Sequence, residues 1–174
     1  MRRILLVLVA MGLSILWATP AGADAPGRQP GGASVGNPSG TFPAGVVCTF
    51  PVSFGVVSGG EGQLFTFVDH NGNVVRLMNH AKPSVWFFTN LDSGASFTLK
   101  LPAGVDRITP SADGTTTITI SGGAIGFNAP TDTPPGPFAL TNVGHLIFVI
   151  APDGTGTLTK LSGKQTDLCA AVGP

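Results

Sequence analysis

The fold class is decided by the stretch Asp113-Gly114-Thr115-Thr116-Thr117-Ile118-Thr119-Ile120-Ser121. The Asp-Gly pair is typical of a tight hairpin turn, whose central residues need positive φ. Isoleucine and threonine then alternate, so Ile118 and Ile120 face one side of a strand while Thr117 and Thr119 face the other. The stretch therefore predicts a hairpin turn that leads into a half-buried β-strand.

Similar turn signals recur about every ten residues from Val46 onward, which is the spacing of an antiparallel sandwich or barrel. Asn71-Gly72 and Asp153-Gly154 each separate two strand-like runs. The run Ser84–Asn90 holds Trp86, Phe87 and Phe88 in succession, so we predict a central strand covered on both faces. These aromatic residues are expected in the core. The fold prediction is all-β: a single antiparallel β-sandwich or flattened barrel of about eight or nine short strands.

The first 23 residues have the three parts of a secretory signal peptide. Arg2-Arg3 is followed by an apolar run of 14 residues and then by the cleavage motif Ala21-Gly22-Ala23. The run is shorter than the ~20 residues that a membrane-spanning helix needs, and no later stretch is long and apolar enough. We therefore predict cleavage before Asp24 and a secreted, extracellular product without a transmembrane segment.

The mature chain carries little charge. The signal removes two of nine basic residues and none of nine acidic ones, which leaves 7 − 9 = −2. The sequence has no stripe of Lys and Arg, which argues against nucleic acid or anionic lipid as a partner. Residues 24–44 are rich in Gly, Pro and small polar side chains and predict a flexible arm. The folded domain is then expected at residues 45–174.

Two cysteines, Cys48 and Cys169, bracket almost all of the periodic sequence. Because an exported chain matures in an oxidising compartment, we expect them to form a disulfide, with a separation of 169 − 48 = 121 residues. Two free thiols are the alternative. A metal pair would need a histidine or a third cysteine at ligand spacing, and the sequence has neither.

The candidates for catalysis do not converge in the sequence. His70, His80 and His145 lie at predicted turns or at a strand start, with no spacing that joins them to Asp69. The turn aspartates are expected to bond their own backbone. Residues 32–36 match the G-x-S-x-G pattern but lack the strand and helix that a nucleophile elbow needs. We predict no catalytic residue, no metal site and no cofactor.

The Pro-rich segment from Asn128 to Pro137 is the longest irregular stretch inside the predicted disulfide loop. Pro134 and Pro135 restrict its backbone, so we expect an ordered rim at one end of the sandwich. If the protein binds a small ligand, this rim and the neighbouring Phe127 and Phe138 are the residues expected to contact it. An exposed connection without function is the alternative.

Three short motifs stand at the start, the middle and the end of the predicted domain. They are Phe50-Pro51-Val52 behind the first cysteine, Thr89-Asn90-Leu91-Asp92-Ser93-Gly94, and Asp167-Leu168-Cys169-Ala170-Ala171. This arrangement resembles a group of uncharacterised secreted actinobacterial proteins with a two-cysteine all-β domain, over roughly residues 46–171. The resemblance implies no activity and carries over no catalytic residue.

Two functions follow from these expectations. The first is a non-enzymatic extracellular or envelope-associated binding protein, with a cell-envelope component or a protein as its partner. The second is a small-ligand-binding or cyclase-like β-barrel enzyme. A cavity with converging polar groups and a perturbed histidine or aspartate would favour the enzyme. A packed interior with an exposed apolar face would favour the binding protein.

Overall fold

The computed structural model describes residues 27–28, 33–35 and 38–173, so the predicted signal peptide lies outside the described residues. This part of the chain forms twelve strands and one short helix. In chain order they are β1 (Gly27–Arg28), β2 (Ala33–Val35), β3 (Gly40–Phe42), β4 (Val52–Gly59), β5 (Gly62–Val68), β6 (Val74–Ala81), β7 (Ser84–Asn90), β8 (Ser96–Leu101), β9 (Gly104–Pro110), β10 (Thr116–Asn128), β11 (Phe138–Ile150), β12 (Gly156–Asp167) and α1 (Leu168–Ala171).

The strands form two antiparallel sheets. The larger sheet has the order β1-β5-β6-β9-β10-β11-β12, with β2 also paired to β5, and the smaller has the order β3-β4-β7-β8. The predicted all-β sandwich is confirmed, and the sheets do not close into a barrel. Strand β7 lies between β4 and β8, which is the central position that its three consecutive aromatic residues predict.

A row of small residues crosses six strands of the larger sheet, and we call it the crease. Register aligns, strand by strand, Gly62, Ala81, Gly104, Gly122, Gly144 and Gly163. A Cβ atom on Gly144 would lie 2.8 Å from Gly163 Cα, and one on Gly163 would lie 2.7 Å from Gly144 Cα. Since real Cβ atoms do not approach this closely, β11 and β12 can meet here only as glycines.

The larger sheet divides at the crease. Strands β5, β6 and β9 each have one end at the crease. A two-residue connection joins that end to β4, β7 and β8 of the smaller sheet, respectively. Strands β10, β11 and β12 continue through the crease instead. Beyond it, β10 packs against the smaller sheet, where the ring centroids of Phe127 and Phe54 are 5.3 Å apart. The sandwich therefore consists of the smaller sheet and the far ends of the three long strands.

The core lies between these two layers and is closed by the disulfide. Phe88 of β7 is 1% exposed, and it shares one cluster with Phe54, Phe127 and Leu168. The Cys48–Cys169 disulfide is confirmed, with Cα atoms 5.6 Å apart. It joins the segment before β4 to α1, so the two ends of the folded region are fixed to the same core.

Strand pairing extends into the segment whose composition predicts a flexible arm. Strands β1 and β2 pair with β5, and β3 pairs with β4. The ring of Phe42 in β3 lies 5.3 Å from that of Phe54 and 5.1 Å from that of Phe127. The folded domain thus begins upstream of residue 45. The strand expected from Val46 begins instead at β4, because the N–H of Gly45 donates to Cys48 O and makes a turn.

The three motifs behind the resemblance meet at one end of the sandwich. The N–H of Leu91 donates to Pro51 O at 2.9 Å, and Asn90 Nδ2 donates to Val172 O at 3.1 Å. Asn90 is 2% exposed, and its Oδ1 accepts a hydrogen bond from the N–H of Asp92. The short motifs therefore have a structural role, which is to satisfy buried polar groups where the chain ends meet the core.

Candidate functional site

The larger sheet folds over at the crease, and an apolar cleft lies between the two halves of the long strands β10, β11 and β12. A Cβ atom on Gly126, beyond the crease, would lie 3.8 Å from Leu146 Cδ1, which lies before it. Aliphatic side chains of β10, β11 and β12 line the cleft together with Phe127 and Phe148, and Asn128 is a polar exception. The cleft volume is about 40 Å³. Pockets that hold drug-sized ligands usually measure several hundred Å³, so this cleft is too small for such a ligand.

The four residues predicted to form a ligand rim are divided between core and surface. Phe127 is 8% exposed, packs against the rings of Phe42 and Phe54, and also lines the cleft. Phe138 is half-buried at the start of β11, whereas Pro134 and Pro135 are exposed. The ligand rim stays a prediction, with Pro134 and Pro135 as its exposed members.

The Pro-rich loop is held in place by the first residues of β12. The buried carboxylate of Asp132 accepts hydrogen bonds from the N–H of Gly156 at 2.8 Å and from the N–H of Ala129 at 2.7 Å. Thr133 donates its N–H to Gly156 O and accepts from the N–H of Leu158. The loop thus occupies the outer side of an edge strand over three residues. Covering an edge protects it from unwanted pairing, which accounts for the order of the loop without a ligand.

The histidines do not form a shared site. His70 lies at the β5–β6 turn, and the ring of His80 packs at 5.2 Å from that of Phe65. His145 Nδ1 lies 3.1 Å from Ser121 Oγ, a cross-strand pair that the sequence analysis did not foresee. No carboxylate among the described residues bonds to this pair, so it lacks the third group that orients a catalytic histidine. Residues 38–173 also contain no group of three His, Cys, Asp or Glu side chains that could hold a metal ion.

Most carboxylates serve their own turns, as predicted. Asp113 and Asp153 each accept hydrogen bonds from the N–H and the hydroxyl of the threonine two residues later. The bonds from Thr115 hold the pKa of Asp113 below its ordinary value. Asp106 differs, since burial raises the pKa of its carboxyl, although Asn79 Nδ2 donates to it at 3.0 Å. The side chain that donates to the Asp106 carboxyl is the amide of Asn79, which does not exchange protons in general acid–base catalysis.

The side of the larger sheet that faces away from the cleft carries exposed and half-buried side chains. We call it the outer face, and it lies before the crease on β5, β6, β9, β10, β11 and β12. Since Ile118 and Ile120 line the cleft, the alternate residue Thr119 belongs to the outer face. Register then aligns two rows across the six strands, namely Phe65, Met78, Arg107, Thr119, Ile147 and Lys160, and Gln63, His80, Val105, Ser121, His145 and Ser162.

Charge is distributed unevenly between this face and the rest of the domain. Arg107 and Lys160 are exposed on the outer face, and the guanidinium of Arg76 lies 4.1 Å from the centroid of the Phe67 ring beside them. The described carboxylates lie elsewhere. Turns and connections hold Glu61, Asp69, Asp92, Asp113 and Asp153. Asp106 lies on the cleft side, Asp132 is in the Pro-rich loop, and Asp167 caps α1. The outer face is therefore positive, although the predicted mature chain is acidic overall.

Comparisons with known proteins do not assign this chain to a family. No protein-family model matches the chain, and no curated protein or solved structure matches it. Within the described ranges, no helix has the length and apolar character needed to cross a membrane.

Proposed function

We propose that this chain is an exported, non-enzymatic binding protein that acts outside the cell or at the cell envelope. The observation that carries the proposal is the outer face. It offers six strands of uncovered side chains, with Arg107 and Lys160 exposed, and it has no carboxylate among the described residues. A sheet face of six strands presents a surface to a partner without a pocket.

The interior supports binding over catalysis. A small-ligand or cyclase-like enzyme needs a cavity of several hundred Å³ with converging polar groups. The cleft of this protein has about 40 Å³ and an almost wholly apolar lining. The Ser121–His145 pair stands on the open outer face, where water has free access and no oriented acid assists it.

Export is supported by the disulfide, because such bonds form and persist in oxidising compartments. The test is the mass of the protein recovered from culture medium or periplasm. We expect the mass of residues 24–174 less two protons for the bonded cysteines. A product that keeps residues 1–23, or that remains in the cytoplasm with two thiols, would contradict export.

Binding is tested with isolated cell envelopes of the organism that produces the chain. We expect the folded mature protein to sediment with them. Ser121→Cys places a unique thiol on the outer face, and a polyethylene-glycol maleimide on it should block binding, since both native cysteines are bonded. The matched control is Thr98→Cys with the same label, on the exposed face of β8. Failure of the unmodified protein to sediment, or an equal effect of both labels, would refute the proposal.

A further inference from the structure

We infer that the partner of the outer face is an acidic polysaccharide, a polymer of sugars that carry carboxylate groups. This inference rests on the proposed function and adds the chemistry of the partner. The outer face combines three features that such a polymer would use: separated cations, apolar surface between them, and hydroxyl groups. Each is visible in the register of the larger sheet.

The cations are spaced along a line that crosses the strands. Arg107 on β9 is directly opposite Met78 on β6, two residues from Arg76. Neighbouring strands are about 4.8 Å apart and residues about 3.4 Å apart along a strand, so the Cα atoms of Arg76 and Arg107 are separated by roughly 8 Å. Lys160 lies three strands beyond Arg107, at roughly 14 Å. This arrangement suits an extended chain with repeated negative charges better than one compact anion.

The arginines are suited to carboxylates. A guanidinium presents a planar set of donors that matches the two oxygens of a carboxylate. The stacking of Arg76 on Phe67 limits the rotation of its side chain, so less conformational entropy is lost when an anion binds. Because no carboxylate of the described residues lies on the outer face, Arg107 and Lys160 are not paired with a described acid beside them.

The surface between the cations fits sugars better than other polyanions. Met78 and Ile147 offer apolar contact area, and Thr119 and Ser121 offer hydroxyl groups. A pyranose ring has an apolar C–H face and a rim of hydroxyls, which matches this mixture. Nucleic acid would require a denser set of phosphate contacts than three cations provide. Attraction to anionic lipid is worth about 1 kcal/mol for each cation, which gives only weak membrane binding.

The probe is polygalacturonate, with neutral dextran as the uncharged comparison, and binding is measured by calorimetry with the mature protein. We expect binding to polygalacturonate that weakens as salt increases, and none to dextran. The variant Arg107→Glu/Lys160→Glu should lose at least about tenfold in affinity. The control Lys82→Glu/Lys100→Glu makes the same charge change outside the outer face and should stay within about twofold, since the Lys82–Glu61 ion pair is exposed and 3.8 Å long.

The outcomes separate the inference from the proposed function. Circular dichroism verifies that each variant is folded, and Arg107→Gln/Lys160→Gln serves as a milder test of the same loss. Equal loss in both charge-reversed variants, or equal binding to DNA or phosphatidylglycerol vesicles, would overturn the inference. If the protein sediments with envelopes through the outer face but does not bind polygalacturonate, the inference fails and the proposed function stands. If the protein neither sediments with envelopes nor binds polygalacturonate, the inference and the proposed function both fail.

Discussion

The crease can be tested with two alanine substitutions on one strand. Gly122 of β10 has φ of +101°, a region that residues with a Cβ atom rarely adopt. A Cβ atom there would lie 2.9 Å from Gly104 Cα and closer still to Ala103 O. Gly126, four residues later, would place its Cβ atom 3.7 Å from Leu140 Cδ1, which is ordinary contact. We predict that Gly122→Ala is strongly destabilising and that Gly126→Ala is not.

The magnitudes follow from these geometries. Strained backbone at Gly122→Ala costs about 1–3 kcal/mol, and forcing a carbon inside its contact distance of about 3.5 Å costs another 1–3 kcal/mol or so. The free energy of unfolding should fall by roughly 2–6 kcal/mol. At about 2–4 °C for each kcal/mol in a domain of this size, the lower limit alone shifts Tm down by roughly 4–8 °C. Gly126→Ala restricts the unfolded chain and should raise Tm by roughly 1–4 °C.

The assay is thermal unfolding followed by circular dichroism, with the disulfide intact in all three proteins. Both substitutions add one methyl group to β10, so helix or strand propensity does not separate them. A Gly122→Ala variant that unfolds within about 2 °C of the parent protein would show that the crease is not constrained as described. Equal destabilisation by both variants would refute the distinction between crease and cleft.

Three further predictions concern the disulfide, the buried acid and the upstream strand. Replacing Cys48 and Cys169 by serine should lower the free energy of unfolding by about 4–5 kcal/mol in the chain-entropy account, measured by urea unfolding, and an unchanged midpoint would contradict it. Asp106→Asn should raise Tm at pH 7, because a carboxyl whose pKa is raised on folding penalises the native state when ionised. The gain should shrink as pH falls through the raised pKa and be gone by about pH 3.8; a gain independent of pH would argue against this cause. Phe42→Ala should cost about 1–3 kcal/mol in urea, since its ring packs on Phe54, whereas a truly dispensable arm would show no loss.

The sequence predicts strands well where alternation is uninterrupted. The predicted run Ser84–Asn90 matches β7 at both ends, and the turn predicted at Asn71-Gly72 separates β5, which ends at Val68, from β6, which begins at Val74. Strand β9 was not foreseen, because Asp106, Arg107 and Pro110 interrupt its apolar pattern. Strand β9 is stabilised by pairing with β6 on one side and β10 on the other, and the local sequence pattern does not contain this information.

The crease explains why the long strands were predicted too short. The strand predicted after Asp113-Gly114 stops at Ser121, before Gly122, and the strand-like run after Asp153-Gly154 stops before Gly163, because glycine inside a strand pattern indicates a break. In the structure β10 and β12 continue through these glycines. The five glycines of the row lie on five different strands, so their alignment can be recognised only when the register of these strands is known.

The charge of the outer face also depends on register, because a bulge in β12 decides whether Lys160 lies on this face. In β12, Leu158 is opposite Phe148, but Lys160 is opposite Ile147, since the register shifts between these two residues of β11. In a regular register without the bulge, Thr159 would align with Ile147 and Lys160 with Leu146, so Lys160 would enter the apolar cleft, because a shift of one residue reverses every side chain of a strand. The bulge therefore does two things together. It places Leu161 on the cleft side, opposite Leu146, and it turns Lys160 to the outer face beside Arg107 and Thr119.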